Sequence, residues 1–338
     1  MRIVNWGFIG CGKVVQKKSG AAFNNVPNSR VYAITRRNYE DALKSAELFH
    51  AEKAFDSIND LLASDIDAVY IATPPGLHYE QAMACCAAGK PVYLEKPFAR
   101  NYAEAYEITK AFKEANIPLY VGHYRRELPR FKFIKQQVEE ERIGKVISVD
   151  FQLNRIFSDY EAKNTWLYNP ILSGGGKFYD IAPHALDIIA YIFGDFIDVH
   201  GYAANNGTGC PLEDTVAMAF KTSKGILGTA LFNLIAHEKA DRMIVKGTKG
   251  TMEFSVHGKC DVIIHNSDNG ESEIYNLPDQ ECVEEAMVDS VVKDILGIGT
   301  CMSKATDVLP TYRVIDDVLS ELYKGREDDF WNHSERWR

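Results

Sequence analysis

The stretch IVNWGFIGCGKVV, residues 3–15, decides the fold. It opens with an apolar run of strand length, which ends in Gly10-Cys11-Gly12 ahead of a helical stretch over 12–23. A glycine at a strand tip permits a tight turn. A second, two residues on, lets the backbone approach a pyrophosphate at a helix N-terminus. The third glycine of that fingerprint is replaced by Val15, a larger side chain at the helix–strand contact. Gly-x-Gly alone is common in turns. After a strand and before a helix, at the start of a βαβ unit, it points to a dinucleotide. Gly10, Cys11, Gly12, Lys13 and Val14 are the expected cradle.

Outward from this stretch, apolar runs at 31–35, 68–72, 91–94 and 118–122 alternate with helical stretches at 39–49, 77–88 and 102–115. Alternation at this spacing predicts a doubly wound parallel sheet, a Rossmann domain over residues 1–123. The pattern then changes. A helix is expected at 131–142, and a long alternating strand at 146–156. A helix at 181–193 follows, then strands at 199–204, 215–221, 226–234, 243–245 and 262–265. Turn signals such as Asn206-Gly207, Lys224-Gly225 and Lys249-Gly250 separate several of them. Helices at 283–296 and 306–323 close the chain. The fold class is α/β: residues 124–338 form an α+β domain with a mostly antiparallel, open-faced sheet for substrate binding and oligomerisation. Ile226, Leu231 and Leu234 are its expected open-face residues, and burying such a face predicts a homodimer or homotetramer.

Composition narrows the function classes. The net charge of -9 argues against nucleic acid, which needs a basic surface. No apolar run reaches the length of a membrane span. The first strand begins at residue 3 and leaves no room for a signal peptide, so a cytoplasmic chain is expected. The seven cysteines, Cys11, Cys85, Cys86, Cys210, Cys260, Cys282 and Cys301, show no C-x-x-C spacing, so reduced thiols are expected and no metal site.

The second strand bears on the cofactor. NAD enzymes commonly carry an acid at its tip to bond the adenosine ribose. Here the tip reads Thr35-Arg36-Arg37-Asn38. A guanidinium pairs with a 2′-phosphate, so Arg36 and Arg37 favour NADP, with NAD as the alternative. The fourth strand ends in IATPPGLHYEQA, placing Thr73 and Pro74 where ligands of open α/β sheets bind, with His78 opening the next helix. The fifth ends in PVYLEKPFA, placing Glu95 and Lys96 at its carboxyl end.

GFIGCGKVV, IATPPGLHYEQA, AAGKPVYLEKPFA and SGGGKFYDIAPHALDIIAYIFGD stand in an order and spacing that resembles the Gfo/Idh/MocA oxidoreductase family over nearly the whole chain. The last motif falls on Gly174-Gly175-Gly176, Asp180, His184 and Asp187. Pro183 is tolerated in a first helical turn, so a helix is expected to begin near Asp180, with Asp180 and His184 on one face. The resemblance implies that Lys96 and His184 flank the reacting carbon and that Asp180 contacts substrate or supports the histidine. It places His184 with the inositol dehydrogenase and anhydrofructose reductase branches. It also puts Tyr124, Arg125 and Arg126, from VGHYRRELPRF, at a position lined with substrate groups, with surface salt bridges as the alternative for at least one arginine. Trp166 is a candidate for stacking on a sugar face, with a core position as the alternative. Implied with these is an NAD(P)-dependent dehydrogenase or reductase acting on the CH–OH of a sugar, sugar derivative or cyclitol. Two alternatives remain: a non-catalytic NAD(P)-binding regulator, and a glycosidase working by NAD-dependent oxidation and elimination.

Overall fold

The computed structural model describes residues 2–156, 166–207, 212–266 and 270–323. Cys210 lies outside them. The chain divides into two units, Met1–Tyr124 with Gln280–Leu309, and Arg125–Asp279 with Pro310–Arg338. Residues 280–309 thus belong with the first unit, a return that a single boundary at 123 does not contain. Its cause is helix Glu285–Ile295, which buries Met287, Val288, Val291 and Val292 in the same core cluster as Trp6, Phe8 and Phe23. Such spacing is one face of an amphipathic helix.

In the first unit, strands β1 (Val4–Ile9), β2 (Ser29–Thr35), β3 (Lys53–Phe55), β4 (Ala68–Ile71), β5 (Val92–Leu94) and β6 (Leu119–Val121) form a parallel sheet in the order β3-β2-β1-β4-β5-β6. The order reverses between β1 and β4, the switch point where ligands of doubly wound sheets bind. The helical stretch expected over 12–23 winds as a π turn at Val15–Ser19, followed by a single α turn, Ala22–Asn25. Gly20, itself in the right-handed helical region, closes the π turn. Its N–H bonds Val15 O at 2.8 Å, five residues back, and the Phe49 ring occupies the place its Cβ would need.

In the second unit, β7 (Val146–Ile156), β8 (Phe196–Ala204), β9 (Thr215–Thr222), β10 (Leu227–Ala236), β11 (Ala240–Gly247), β12 (Gly250–Phe254), β13 (Asp261–Asn266) and β14 (Ser272–Asn276) form a sheet in the order β14-β13-β12-β11-β7-β10-β9-β8. All neighbours are antiparallel except β7 and β10, which run parallel. One face packs on helix Lys177–Phe193, with Phe178 edge-on to Phe232 at 4.8 Å and Phe232 against Phe151 at 5.3 Å. Alternation puts Leu234 in that core and Leu231 on the outer face, because residues one apart in a strand point to opposite sides. Ile226 is buried too. Of the three expected open-face residues only Leu231 is correct. The outer face carries Tyr202, Leu227 and Ile274 instead, all exposed.

Candidate active site

The first unit builds a cradle from strand ends. Gly10 has φ +85°, a left-handed conformation suited to glycine, and a Cβ there would meet Thr73 Cγ2 at 2.8 Å and Ala72 O at 3.1 Å. The end of β1 therefore runs against the end of β4. Gly10 N also donates to Thr35 O at the tip of β2 at 3.1 Å. A Cβ added at Gly12 would meet nothing within 4 Å, and Gly12, Lys13 and Val14 are exposed. An open loop with bare backbone at a switch point fits the pyrophosphate of a dinucleotide. Cys11 is buried, and burial pushes its thiol up.

At the tip of β2 the two arginines differ. Arg36 turns onto helix Tyr39–Leu48, donating from Nη1 to Ser45 Oγ at 3.3 Å and to Asp41 O at 3.5 Å, with Nη2 3.7 Å from the Asp41 carboxylate. Arg37 is exposed.

His78, a candidate cofactor contact beside a helix-cap reading, is enclosed in the structure. Its ring is 0% exposed, with Nε2 2.8 Å from Thr73 O and Nδ1 3.1 Å from Phe98 O. It lies between two backbone carbonyls, one from the Thr73-Pro74 loop and one from the segment after Lys96, and a neutral ring donates to one of them. Burial lowers its pKa and so favours the neutral imidazole. Thr73 Oγ1 donates to Gln81 at 2.6 Å. Glu95 accepts from the Tyr70 hydroxyl at 2.5 Å and from Lys96 N at 3.2 Å. Tyr70 lies 2.8 Å from Ser19 Oγ, and burial, with Glu95 and Glu284 nearby, pushes its phenol well up. A Cβ on Gly122 would meet Glu95 Oε2 at 3.2 Å. Glu95 is thereby fixed beneath half-buried Lys96, at the carboxyl end of β5.

The second unit builds around helix Lys177–Phe193. It starts at Lys177, not near Asp180, and Pro183 stands inside it. The cause is a remote cap. Glu213, 1% exposed, accepts from Gly176 N at 2.7 Å and from Tyr179 N at 2.9 Å, and takes a further hydrogen bond from the Tyr323 hydroxyl. A carboxylate at a helix N-terminus satisfies open N–H groups and matches the helix dipole. Gly175 and Gly176 make room for it, since a Cβ on Gly176 would sit 2.3 Å from Glu213 O. Asp180, His184 and Asp187 follow at spacings of four and three, on one face. His184 is 8% exposed and Asp180 half-buried.

Arg126, a candidate substrate contact, is engaged with its own unit in the structure. Its guanidinium grips Asp187 through two bonds, Nε to Oδ2 at 2.9 Å and Nη2 to Oδ1 at 2.7 Å, with side chains only 4% and 1% exposed. The same guanidinium lies over the Tyr191 ring, 5.2 Å from its centroid. Arg125, also buried, donates from Nε to Val256 O at 3.1 Å, and its Nη2 is 3.4 Å from His257 Nδ1. It is occupied with a loop of its own unit. Tyr124 is half-buried, and Trp166, 39% exposed, is no core residue. Glu213 and His257 carry no local signal as site residues. The Gly174-Gly175-Gly176 run hints only that something approaches.

Comparison with known proteins places these features. Residues 4–123 match the model of the oxidoreductase family with an NAD-binding Rossmann fold, GFO/IDH/MocA, and residues 131–253 match the GFO/IDH/MocA C-terminal domain. The chain is 34% identical to oxidoreductase P35 of Formosa agariphila over 293 residues, 86% of this chain and 90% of that one. It is 32% identical over 210 residues to scyllo-inositol 2-dehydrogenase (NADP(+)) IolU of Bacillus subtilis, 60% of this chain and 62% of the relative. In fold it is similar to levoglucosan dehydrogenase in complex with NADH and levoglucosan, with a TM-score of 0.87 at 21% identity, covering 96% of this chain and 98% of the other.

Proposed function

The chain belongs to the Gfo/Idh/MocA oxidoreductase family, and from that premise we propose that it moves a hydride between a nicotinamide and a secondary carbinol or ketone of a sugar, sugar derivative or cyclitol. The observation carrying the reading is the pair Asp180 and His184, one helical turn apart on a helix whose start is fixed by Glu213. Gly10 and Gly12 would hold the pyrophosphate, with Lys13 and Val14 alongside, and Thr73, Pro74 and Lys96 would line the nicotinamide end. Bound there, the nicotinamide supplies hydride acceptor and donor chemistry.

In the oxidative direction, a ring nitrogen of His184 takes the hydroxyl proton as the carbon gives up its hydride. Imidazole suits this because its ordinary titration range lies near neutrality. Lys96 Nζ donates to the same oxygen and stabilises its developing negative charge. Asp180 binds a substrate hydroxyl or orients His184. Lys96 and His184 must therefore serve one substrate. If they act as a unit, the double substitution loses less than the product of the single losses.

For the cofactor, exposed Arg37 is the group for a 2′-phosphate, with Arg36 braced on Asp41 behind it. NADP is the preferred cofactor. The outer face of the second sheet, with Tyr202, Leu227, Leu231 and Ile274, closes against its equivalent in a symmetric homo-oligomer. Light scattering that returns a stable monomer at micromolar concentration removes that part of the proposal.

The test of function is a panel: levoglucosan, scyllo-inositol, myo-inositol, D-glucose and 1,5-anhydro-D-fructose, each with NAD(H) and NADP(H), followed by nicotinamide absorbance. Turnover with net cofactor conversion is expected for at least one. Tight cofactor binding without turnover favours a regulator. Cleavage of a glycoside with no net conversion favours oxidation–elimination.

A further inference from the structure

Tyr70, in β4, stands fully buried in the aromatic core of the first unit. Its ring is held by other rings: Phe8 edge-on at 5.0 Å, Phe23 at 4.6 Å, and Tyr93 stacked at 5.5 Å with planes 21° apart. Phenylalanine would fill that space as well. A hydroxyl at this depth gives up water and is tolerated only with hydrogen bonds in exchange.

Those bonds reach two segments that bear on the proposed chemistry. The Tyr70 oxygen is 2.8 Å from Ser19 Oγ, at the end of the π turn that follows the dinucleotide loop, and 2.5 Å from Glu95 Oε1. With Glu95 ionised the carboxylate only accepts, so the phenol hydrogen goes to Glu95 and Ser19 supplies its own to the phenol oxygen. Burial, with Glu95 and Glu284 nearby, pushes the phenol well up, so it remains a donor. The other carboxylate oxygen, Oε2, accepts from Lys96 N at 3.2 Å. Gln16, in the same π turn, donates to Cys11 O at 3.2 Å and so ties the turn back to the loop. One chain of hydrogen bonds therefore runs from the segment behind Gly10-Cys11-Gly12 to the amide of Lys96.

We propose that Tyr70 is a positioning residue for the reaction: braced on Ser19, it holds the Glu95 carboxylate against the Lys96 amide and so sets where the Lys96 side chain starts relative to the cofactor loop. The ammonium stands at the end of a four-carbon stem, and a small change at the base of that stem is magnified at its tip. Stabilising charge on a reacting oxygen depends on a preset geometry, and a displacement of about 1 Å can cost ~100-fold in rate. The proposal rests on the reading of Lys96 as the donor to that oxygen.

The experiment uses the full chain and the variants Tyr70→Phe, Ser19→Ala and Lys96→Ala, with Tyr70→Phe and Ser19→Ala each repeated in the Lys96→Ala background. Each protein, loaded with the cofactor that the parent turns over, is mixed with the panel substrate that the parent converts fastest. The limiting single-turnover rate and the half-saturating substrate concentration are read from nicotinamide absorbance. Tyr70→Phe keeps the ring and removes the hydroxyl. A limiting rate lower by about tenfold is expected, with half-saturation changed by less than about twofold. In the Lys96→Ala background the same substitution should cost no further rate, because its effect passes through that side chain. A parental rate in Tyr70→Phe, while Lys96→Ala is slow, overturns this inference alone. An equal loss in both backgrounds also overturns it, since Tyr70 then only props the core. If Tyr70→Phe does not fold, Ser19→Ala decides by the same comparison: a loss seen only with Lys96 present supports the proposal, and no loss or an equal loss overturns it. Parental rates in Lys96→Ala overturn the reading of Lys96 and the inference with it.

Discussion

Replacing Arg126 by Met separates a structural arginine from a substrate contact. The substitution keeps most of the side-chain volume and strands the Asp187 carboxylate, which is 1% exposed and normally held by bonds of 2.9 and 2.7 Å. At this depth solvent screens little, and breaking a buried pair from one side costs about 3–5 kcal/mol. Two lost charge-assisted bonds at roughly 1.5–3 kcal/mol each give a similar figure. For a folding unit of 150–250 residues, 1 kcal/mol moves the melting temperature by roughly 2–4 °C. The transition of the second unit should therefore fall by about 6–20 °C in calorimetry. The double substitution Arg126→Met with Asp187→Leu should recover most of that loss, because no charge is left buried. Melting within about 1 °C of the parent, combined with a raised substrate KM, would refute the reasoning and return Arg126 to the substrate-contact role.

Three further outcomes follow from the geometry. Gly176→Ala should destabilise the second unit by about 1–3 kcal/mol in urea titration, since its Cβ would lie 2.3 Å from a backbone oxygen that cannot rotate away. His78 has a folded pKa below its usual 6.5, so the unfolded chain takes up a proton that the folded one refuses. Stability is then lost as pH falls from about 6.5 towards the folded pKa, at up to ~1.4 kcal/mol per pH unit. Urea unfolding at pH 7.5 and 5.5 should show a steeper fall for the parent than for His78→Asn. Arg37→Ala should shrink the ratio of NADPH to NADH affinity, expected to be at least about tenfold in the parent, and should shrink it more than Arg36→Ala; a parent that prefers NADH refutes this.

How much was legible depended on the range of the interactions involved. The β1 turn is readable because strand, glycines and helical stretch are contiguous, and the alternation of β7 and β9 is a property of each strand alone. Three short strands escaped. Lys53–Phe55 has three residues, and Ser272–Asn276 mixes polar and apolar residues on both faces. In Gly250–Phe254 only Met252 and Phe254 mark a buried side. The start of helix Lys177–Phe193 was misplaced because Pro183 is a strong local signal, whereas the carboxylate that fixes the start lies 37 residues away from Gly176. Arg126 looks like a surface charge until Asp187, 61 residues on, closes over it. His257 has no sequence pattern at all; its place beside His184 follows from Asp241 and two arginines reaching it from elsewhere in the chain. Residue types near the site are therefore visible in the sequence, but their roles depend on partners that become neighbours only after folding.

The buried charges around His184 can be understood from what the surrounding helix lacks. From Ala182 to Ala190 every residue is buried, so the segment is enclosed on all sides. A segment of that kind is held in place by hydrophobic burial, which is non-directional and sets no rotation about the helix axis. Rotating it by one residue exchanges one apolar surface for another and swings His184 through about 100°. Polar contacts supply the missing direction. Glu213 fixes the Gly176 and Tyr179 amides above Asp180, and Arg126 fixes Asp187 one turn below His184. Asp180 and His184 thus ride on a stretch pinned at both ends. Stability and turnover should accordingly separate in the double substitution of Arg126 and Asp187. An apolar pair can restore the melting temperature, but it leaves the lower end of the stretch free to turn. If kcat returns along with stability in that variant, the pins are not what orients His184, and packing alone sets the rotation.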